Sequence, residues 1–125
     1  MFRRGTGAII NVSMNYETMK RRGFSPYGPS KAALESETII WAQDLEGTGI
    51  TVNEVLPGGA TATGMIPPGI PQELRDRLLS PEIVVPPAVF LASDEGRWLT
   101  GRRLVATEWS PDHPEGRPAA SGIGR

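Results

Sequence analysis

The chain of 125 residues is sized for one domain, which would bury about two-thirds of its unfolded surface if it folds alone. A formal net charge of −1, with no basic block of five or more residues, argues against a nucleic-acid partner or an anionic membrane surface. Zero cysteines remove disulfides, thiol nucleophiles and thiolate metal sites, and no His/Asp/Glu cluster points to a metal.

The opening MFRRGTG carries the basic residues of a signal peptide, but only AIINV follows before polar residues return. That pattern predicts neither a secretory leader nor a membrane span and leaves the cytoplasm as the default location. Residues 8–12 are short, β-branched and nearly all apolar, which predicts a fully buried parallel strand. Residues 15–24 are polar and basic and read as a loop.

The stretch 25–47, SPYGPSKAALESETIIWAQDLEG, predicts the central helix. Ser25 can cap its start, Pro26 and Pro29 fall in or beside the first turn, and Gly47 and Gly49 stop it. At 100° per residue Tyr27, Lys31, Leu34, Thr38, Trp41 and Leu45 share one stripe, expected to pack on the body of the protein. Charges are confined to two flanks, Glu35 with Glu46 and Glu37 with Asp44. The opposite face, Ala32, Ala33, Ser36, Ile39, Ile40 and Gln43, is small or apolar where charges would be expected, and predicts a partner surface: a homo-oligomer formed through this helix.

Residues 50–56 predict a second strand, closed by Pro57-Gly58-Gly59. Strand, helix and strand at these lengths make a βαβ unit with a right-handed crossover. Residues 58–71, GGATATGMIPPGIP, are too long for a tight turn and suit a substrate or cofactor lid. Short helices are expected at 72–79 and 87–92 and a third strand at 103–106. The sequence thus divides into a domain over 1–110 and a breaker-rich, polar segment over 111–125 expected as a disordered tail.

Tyr27-x-x-x-Lys31 places a phenol and an ammonium one helical turn apart. Taken with the strand ending Asn11-Val12-Ser13, then Asn53-x-x-x-Pro57-Gly58, Ser93-Asp94 and Thr100-Gly101, it resembles the C-terminal half of the short-chain dehydrogenases/reductases, over about residues 7–105. The resemblance implies an α/β fold, the last part of a Rossmann-like doubly wound parallel sheet with three parallel strands and crossover helices. It implies an oxidoreductase moving a hydride between NAD or NADP and a small-molecule carbonyl or alcohol.

In that family the tyrosine is the general acid/base, here Tyr27, and the lysine, here Lys31, binds the nicotinamide ribose and lowers the phenol's pKa. A nearby cation does favour phenolate over phenol. The family's segment after the proline touches the nicotinamide carboxamide, which implicates Pro57 and Gly58. Its threonine, five beyond the proline, falls here on Ala62, flanked by Thr61 and Thr63, either of which can replace it.

Two departures accompany these matches. The family's catalytic serine, thirteen residues before the tyrosine, falls on Met14. Adjacent Ser13 can fill the role only if the strand has ended or bulged there, because successive strand side chains point to opposite faces. The glycine-rich phosphate loop is also missing: Gly5-Thr6-Gly7 precedes a strand and Gly122-Ile123-Gly124 is followed by no helix. The sequence therefore reads as a copy that starts just before the family's fifth strand, expected to bind no dinucleotide alone.

Two other readings compete. One is an inactive fragment or pseudoenzyme that associates through the Ala32/Ser36/Ile40 face. Another, Gly28-Pro29-Ser30-Lys31-Ala32 as a loose nucleophile elbow, lacks the preceding strand that elbow requires and has only His113, in the tail, as a base.

Overall fold

A computed structural model describes residues 1–120 and Gly122. Three parallel strands, β1 (Gly7–Val12), β2 (Ile50–Leu56) and β3 (Arg102–Val105), and a short antiparallel β4 (Arg117–Pro118) lie in the order β1-β2-β3-β4. Helices α1 (Tyr16–Met19), α2 (Tyr27–Asp44), α3 (Gln72–Asp76) and α4 (Val85–Ala92) complete an α/β fold with a mostly parallel sheet, as the sequence predicts. No helix among the described residues is long and apolar enough to cross a membrane.

Parallel pairing runs from Gly7 opposite Ile50 to Val12 opposite Val55, and from Glu54 opposite Arg103 to Leu56 opposite Val105. Central β2 is buried along its whole length, as its run ITVNEVL suggests. Edge strand β1 is only half-buried, contrary to the expectation of full burial, because just one of its edges is paired within the described residues. An edge of this kind leaves backbone groups available to another strand.

The pleat sends alternate residues to two chemically different faces. On one face, Leu91 of α4 packs with Leu99, Leu104 and Ile10, and the rings of Phe90 and Trp109 lie 5.7 Å apart. On the other, Asn11, Glu54 and Arg103 form a cross-strand row beneath α2. The turn before β3 is locked to β2 by the motif residues themselves. Asn53 donates to the Leu99 carbonyl at 2.8 Å and accepts from the Arg102 N–H at 3.0 Å, while the Thr100 hydroxyl accepts from the Val52 N–H at 3.0 Å.

Helix α2 differs from its predicted orientation. Its buried positions are Gly28, Glu35, Thr38 and Ala42, whereas Trp41 is 37% exposed, so the inward stripe is rotated by about one residue from the predicted one. The reason is the polar row beneath it: Thr38 accepts from the Asn11 amide at 2.9 Å, and Glu35 meets Arg103. Pro26 rather than Ser25 occupies the N-cap position, with no side-chain cap, and the chain turns away through left-handed Gly47 and Gly49.

The expectation of a disordered tail over 111–125 is corrected as far as Ala120. Arg117–Pro118 pair with β3, Ala119 is buried, and the Arg102 guanidinium donates to the carbonyls of Glu115 and Gly116 at 2.8 and 2.9 Å. A segment poor in apolar side chains is held here through its backbone, which composition does not register. Positions 121 and 123–125 lie outside the described residues.

Candidate active site

The candidate site lies where β1 and β2 end side by side and α2 begins. Val12 closes β1 opposite Val55, and Pro57 follows β2 directly, so both exits reach the carboxyl edge of the sheet, where open α/β folds bind ligands. Helix α2 starts close against α1: a Cβ on Gly28 would collide with the Met19 carbonyl oxygen. This close approach, which the sequence reading did not identify, sets where the adjacent Tyr27 emerges.

The structure brings Tyr27 and Lys31 together. The Lys31 ammonium donates to the Val12 carbonyl at 2.8 Å and lies 5.7 Å from the centroid of the Tyr27 ring, which is 36% exposed. Helical spacing accounts for the proximity, and the free carbonyl at the end of an edge strand accounts for the anchor.

Pro57 and Gly58 stand one strand over. Gly58 has φ +100°, and a side chain there would run into Thr107 beyond β3, so its backbone is pressed between the ends of two strands. The following segment folds back on itself: the N–H of Ala62 bonds the carbonyl of Leu79 at 2.9 Å, and the N–H of Leu79 bonds that of Ala60 at 2.8 Å. Within it the Thr61 hydroxyl donates to the Gly59 carbonyl at 3.0 Å, and the Thr63 hydroxyl accepts from the Met65 N–H at 3.3 Å.

Ser13 does not join Tyr27. Its N–H bonds the Val55 carbonyl at 2.9 Å, so the ladder continues through it with no bulge, and its side chain points beneath α2. There the buried hydroxyl donates to Glu35. The expectation of a carbonyl-orienting Ser13 is thereby corrected: the residue is 4% exposed and its hydroxyl is committed to a buried carboxylate.

That carboxylate belongs to a charged cluster that no sequence motif marks. Arg103 pairs with Glu35, lies 3.7 Å from Glu54, donates to the Met14 carbonyl at 2.6 Å and stacks 3.8 Å above the Tyr16 ring. All three charged side chains are buried. Burial, then the neighbouring Glu35, pushes the Glu54 carboxyl up to about 9, against the opposing pull of Arg103. The sequence signal was a carboxylate, Glu54, in the middle of a predicted strand; that Arg103 faces it follows only from the register of β2 and β3.

A sequence profile described as enoyl-(acyl carrier protein) reductase matches residues 1–107. The chain is a member of the short-chain dehydrogenase/reductase family. It is 40% identical over 109 residues to a short-chain type dehydrogenase/reductase of Picea abies, covering 80% of this chain and 40% of that protein. A chloroplastic NADPH-dependent aldehyde reductase 2 of Arabidopsis thaliana is 35% identical over 113 residues, covering 83% of this chain and 41% of that one.

Among solved structures, the angucycline C-6 ketoreductase LanV with bound NADP aligns with a TM-score of 0.69 at 33% identity, over 82% of this chain and 42% of that chain. The chain thus spans about 40% of the length of the curated relatives it matches. Within the short-chain family frame, the matched motifs lie in or beside β1, α2 and β2, after α4 and in the turn before β3, and the Met14 and Ala62 departures fall at the β1 exit and in the loop after Gly58.

Proposed function

We propose that this chain carries the proton-transfer and nicotinamide-side elements of an NAD(P)-dependent oxidoreductase acting on a small carbonyl or alcohol. The observation that supports it is the Tyr27–Lys31 pair at the carboxyl edge, with the ammonium fixed on the Val12 carbonyl beside the phenol ring. Relatives described as NADPH-dependent and neighbours described with bound NADP favour the same cofactor class.

The residues present fit one half of such a cofactor. Lys31 offers a cation to a ribose hydroxyl, and the backbone at Pro57 and Gly58, with Thr61 and Thr63, borders the place for a flat carboxamide. The described residues hold no glycine-rich turn from strand into helix to cradle a pyrophosphate. When bound, the dinucleotide supplies or accepts the hydride at the carbonyl carbon. Tyr27 then holds the proton at the carbonyl or alcohol oxygen through its phenol, and Lys31 keeps a positive charge beside that phenol. Ser13 has no part in this step.

The test is titration with NADH and NADPH, followed by nicotinamide fluorescence, of two proteins: this chain alone, and this chain fused behind the part of the Picea abies relative that provides the first strand–helix unit. The fusion is expected to saturate below ~100 μM, about −5.5 kcal/mol, and the chain alone to show no saturation in that range. Absence of binding by the fusion would overturn the reading.

The exposed face of α2 supports self-association. Ile40 is 51% exposed among the small residues Ala33 and Ser36, which permit close helix approach, and a fully covered isoleucine contributes about 1.5–3 kcal/mol. Ile40→Asp is expected to shift the protein toward monomer in sedimentation velocity; an unchanged sedimentation coefficient would exclude this face.

A further inference from the structure

Three consecutive residues leave β1 under restraint from different elements. The carbonyl of Val12 accepts from Lys31 of α2, the N–H of Ser13 bonds Val55 of β2 while its hydroxyl donates to Glu35, and the carbonyl of Met14 accepts from Arg103 of β3. The last of these is unusual in its cost, because it brings a guanidinium into a site where the arginine is 3% exposed.

Neutralising Glu35 requires only one end of that guanidinium. Nη1 faces Glu35 and reaches the Ser13 hydroxyl at 3.3 Å, while Nη2 is directed at the Met14 carbonyl at 2.6 Å, and the plane of the group covers the Tyr16 ring at 3.8 Å. Glu35 is itself fixed by further donors, the Ala120 N–H at 3.1 Å and the Tyr16 hydroxyl at 3.4 Å, so the arginine is held from behind while its second nitrogen faces the backbone. A planar fork can satisfy a carboxylate and a carbonyl at once, whereas a lysine ammonium is a single point charge.

We infer that Arg103 is a positioning residue, clamped by Glu35, that sets the path of the chain leaving β1 and through it the Val12 carbonyl on which Lys31 is anchored. Its relevance to turnover rests on the proposed role of Lys31; the clamp itself does not. Residue 103 is brought to residues 12–14 only by the parallel register of β2 and β3, so the connection is invisible in the spacing of the motif.

The test uses the 125-residue chain without cofactor, so that its failure is separable from failure of NAD(P)H binding. Arg103→Lys keeps a charge beside Glu35 but loses the fork; the triple variant Arg103→Met, Glu35→Gln, Glu54→Gln removes every charge of the cluster, so that no carboxylate is left buried without a countercharge. Two readouts are taken. Amide hydrogen exchange at Ser13 is expected to accelerate at least tenfold in both variants, while that of Val52, bonded to Thr100, stays within twofold of the original.

Acylation of Lys31 relative to Lys20, the only other lysine, is expected to rise at least threefold as the Val12 carbonyl drifts from the ammonium. A general structural weakening would accelerate Val52 along with Ser13, and that result overturns the assignment. Unchanged values at Ser13 and Lys31 in Arg103→Lys overturn it equally.

Discussion

Tyr27→Phe is expected to lower kcat for NADPH-dependent carbonyl reduction by about 10²–10⁴-fold, the usual contribution of a positioned general acid. The measurement is NADPH oxidation at saturating carbonyl substrate, in the fusion that supplies the phosphate-binding unit. Phenylalanine keeps the ring that lies 5.7 Å from the Lys31 ammonium and removes only the hydroxyl, so packing at the start of α2 is preserved. NADPH affinity should therefore change less than threefold. Lys31→Ala should do the reverse in part, raising the NADPH dissociation constant as well as lowering kcat, because the ammonium is the group assigned to the ribose. A Tyr27→Phe protein that retains more than a third of the original rate would show that the proton comes from elsewhere.

The parts of the fold legible in the sequence were those fixed by local pattern. The β-branched runs gave β1 and β2, and the turn chemistry of Pro57-Gly58 gave the exit of β2. Asn53, Thr100 and Gly101 were legible as a motif, although their work is structural: the Gly101 N–H bonds Val52 at 2.8 Å and Asn53 spans to Leu99 and Arg102. Tyr27 and Lys31 were legible because helix geometry alone brings them together.

What the sequence concealed was long-range and polar. The face of α2 was misread by about one residue because Leu34 and Trp41 outrank Glu35 and Thr38 on any hydropathy pattern. The inward position of Glu35 depends on an arginine in β3 and that of Thr38 on the Asn11 amide in β1, neither of which a helical wheel contains. Ser13 was misread for a related reason. A serine beside the position of the family's catalytic serine looks available until its N–H is seen to continue the ladder to Val55, which turns the hydroxyl inward. The tail was misread because its attachment is made by backbone groups and by the Arg102 guanidinium.

The same buried cluster makes a contribution to stability that falls as pH rises. Glu54 is fully buried, and its folded-state carboxyl is raised from an ordinary 4.5 to about 9 by burial and by Glu35, so the folded protein binds this proton more tightly than the unfolded chain. The contribution is complete below about pH 4.5, declines through neutrality and is lost once pH passes about 9. Its slope is bounded by about 1.4 kcal/mol per pH unit for one proton. Glu54→Gln reproduces the neutral carboxyl in shape and cannot ionise, so its urea midpoint should match that of the original protein near pH 4.5 and exceed it increasingly toward pH 9. Both proteins retain every other titrating group, Glu35 included, so the difference reports the Glu54 carboxyl together with its interaction with Glu35. Parallel midpoints across that range would mean that Glu54 ionises without cost, and that Arg103, 3.7 Å away, neutralises both carboxylates at once.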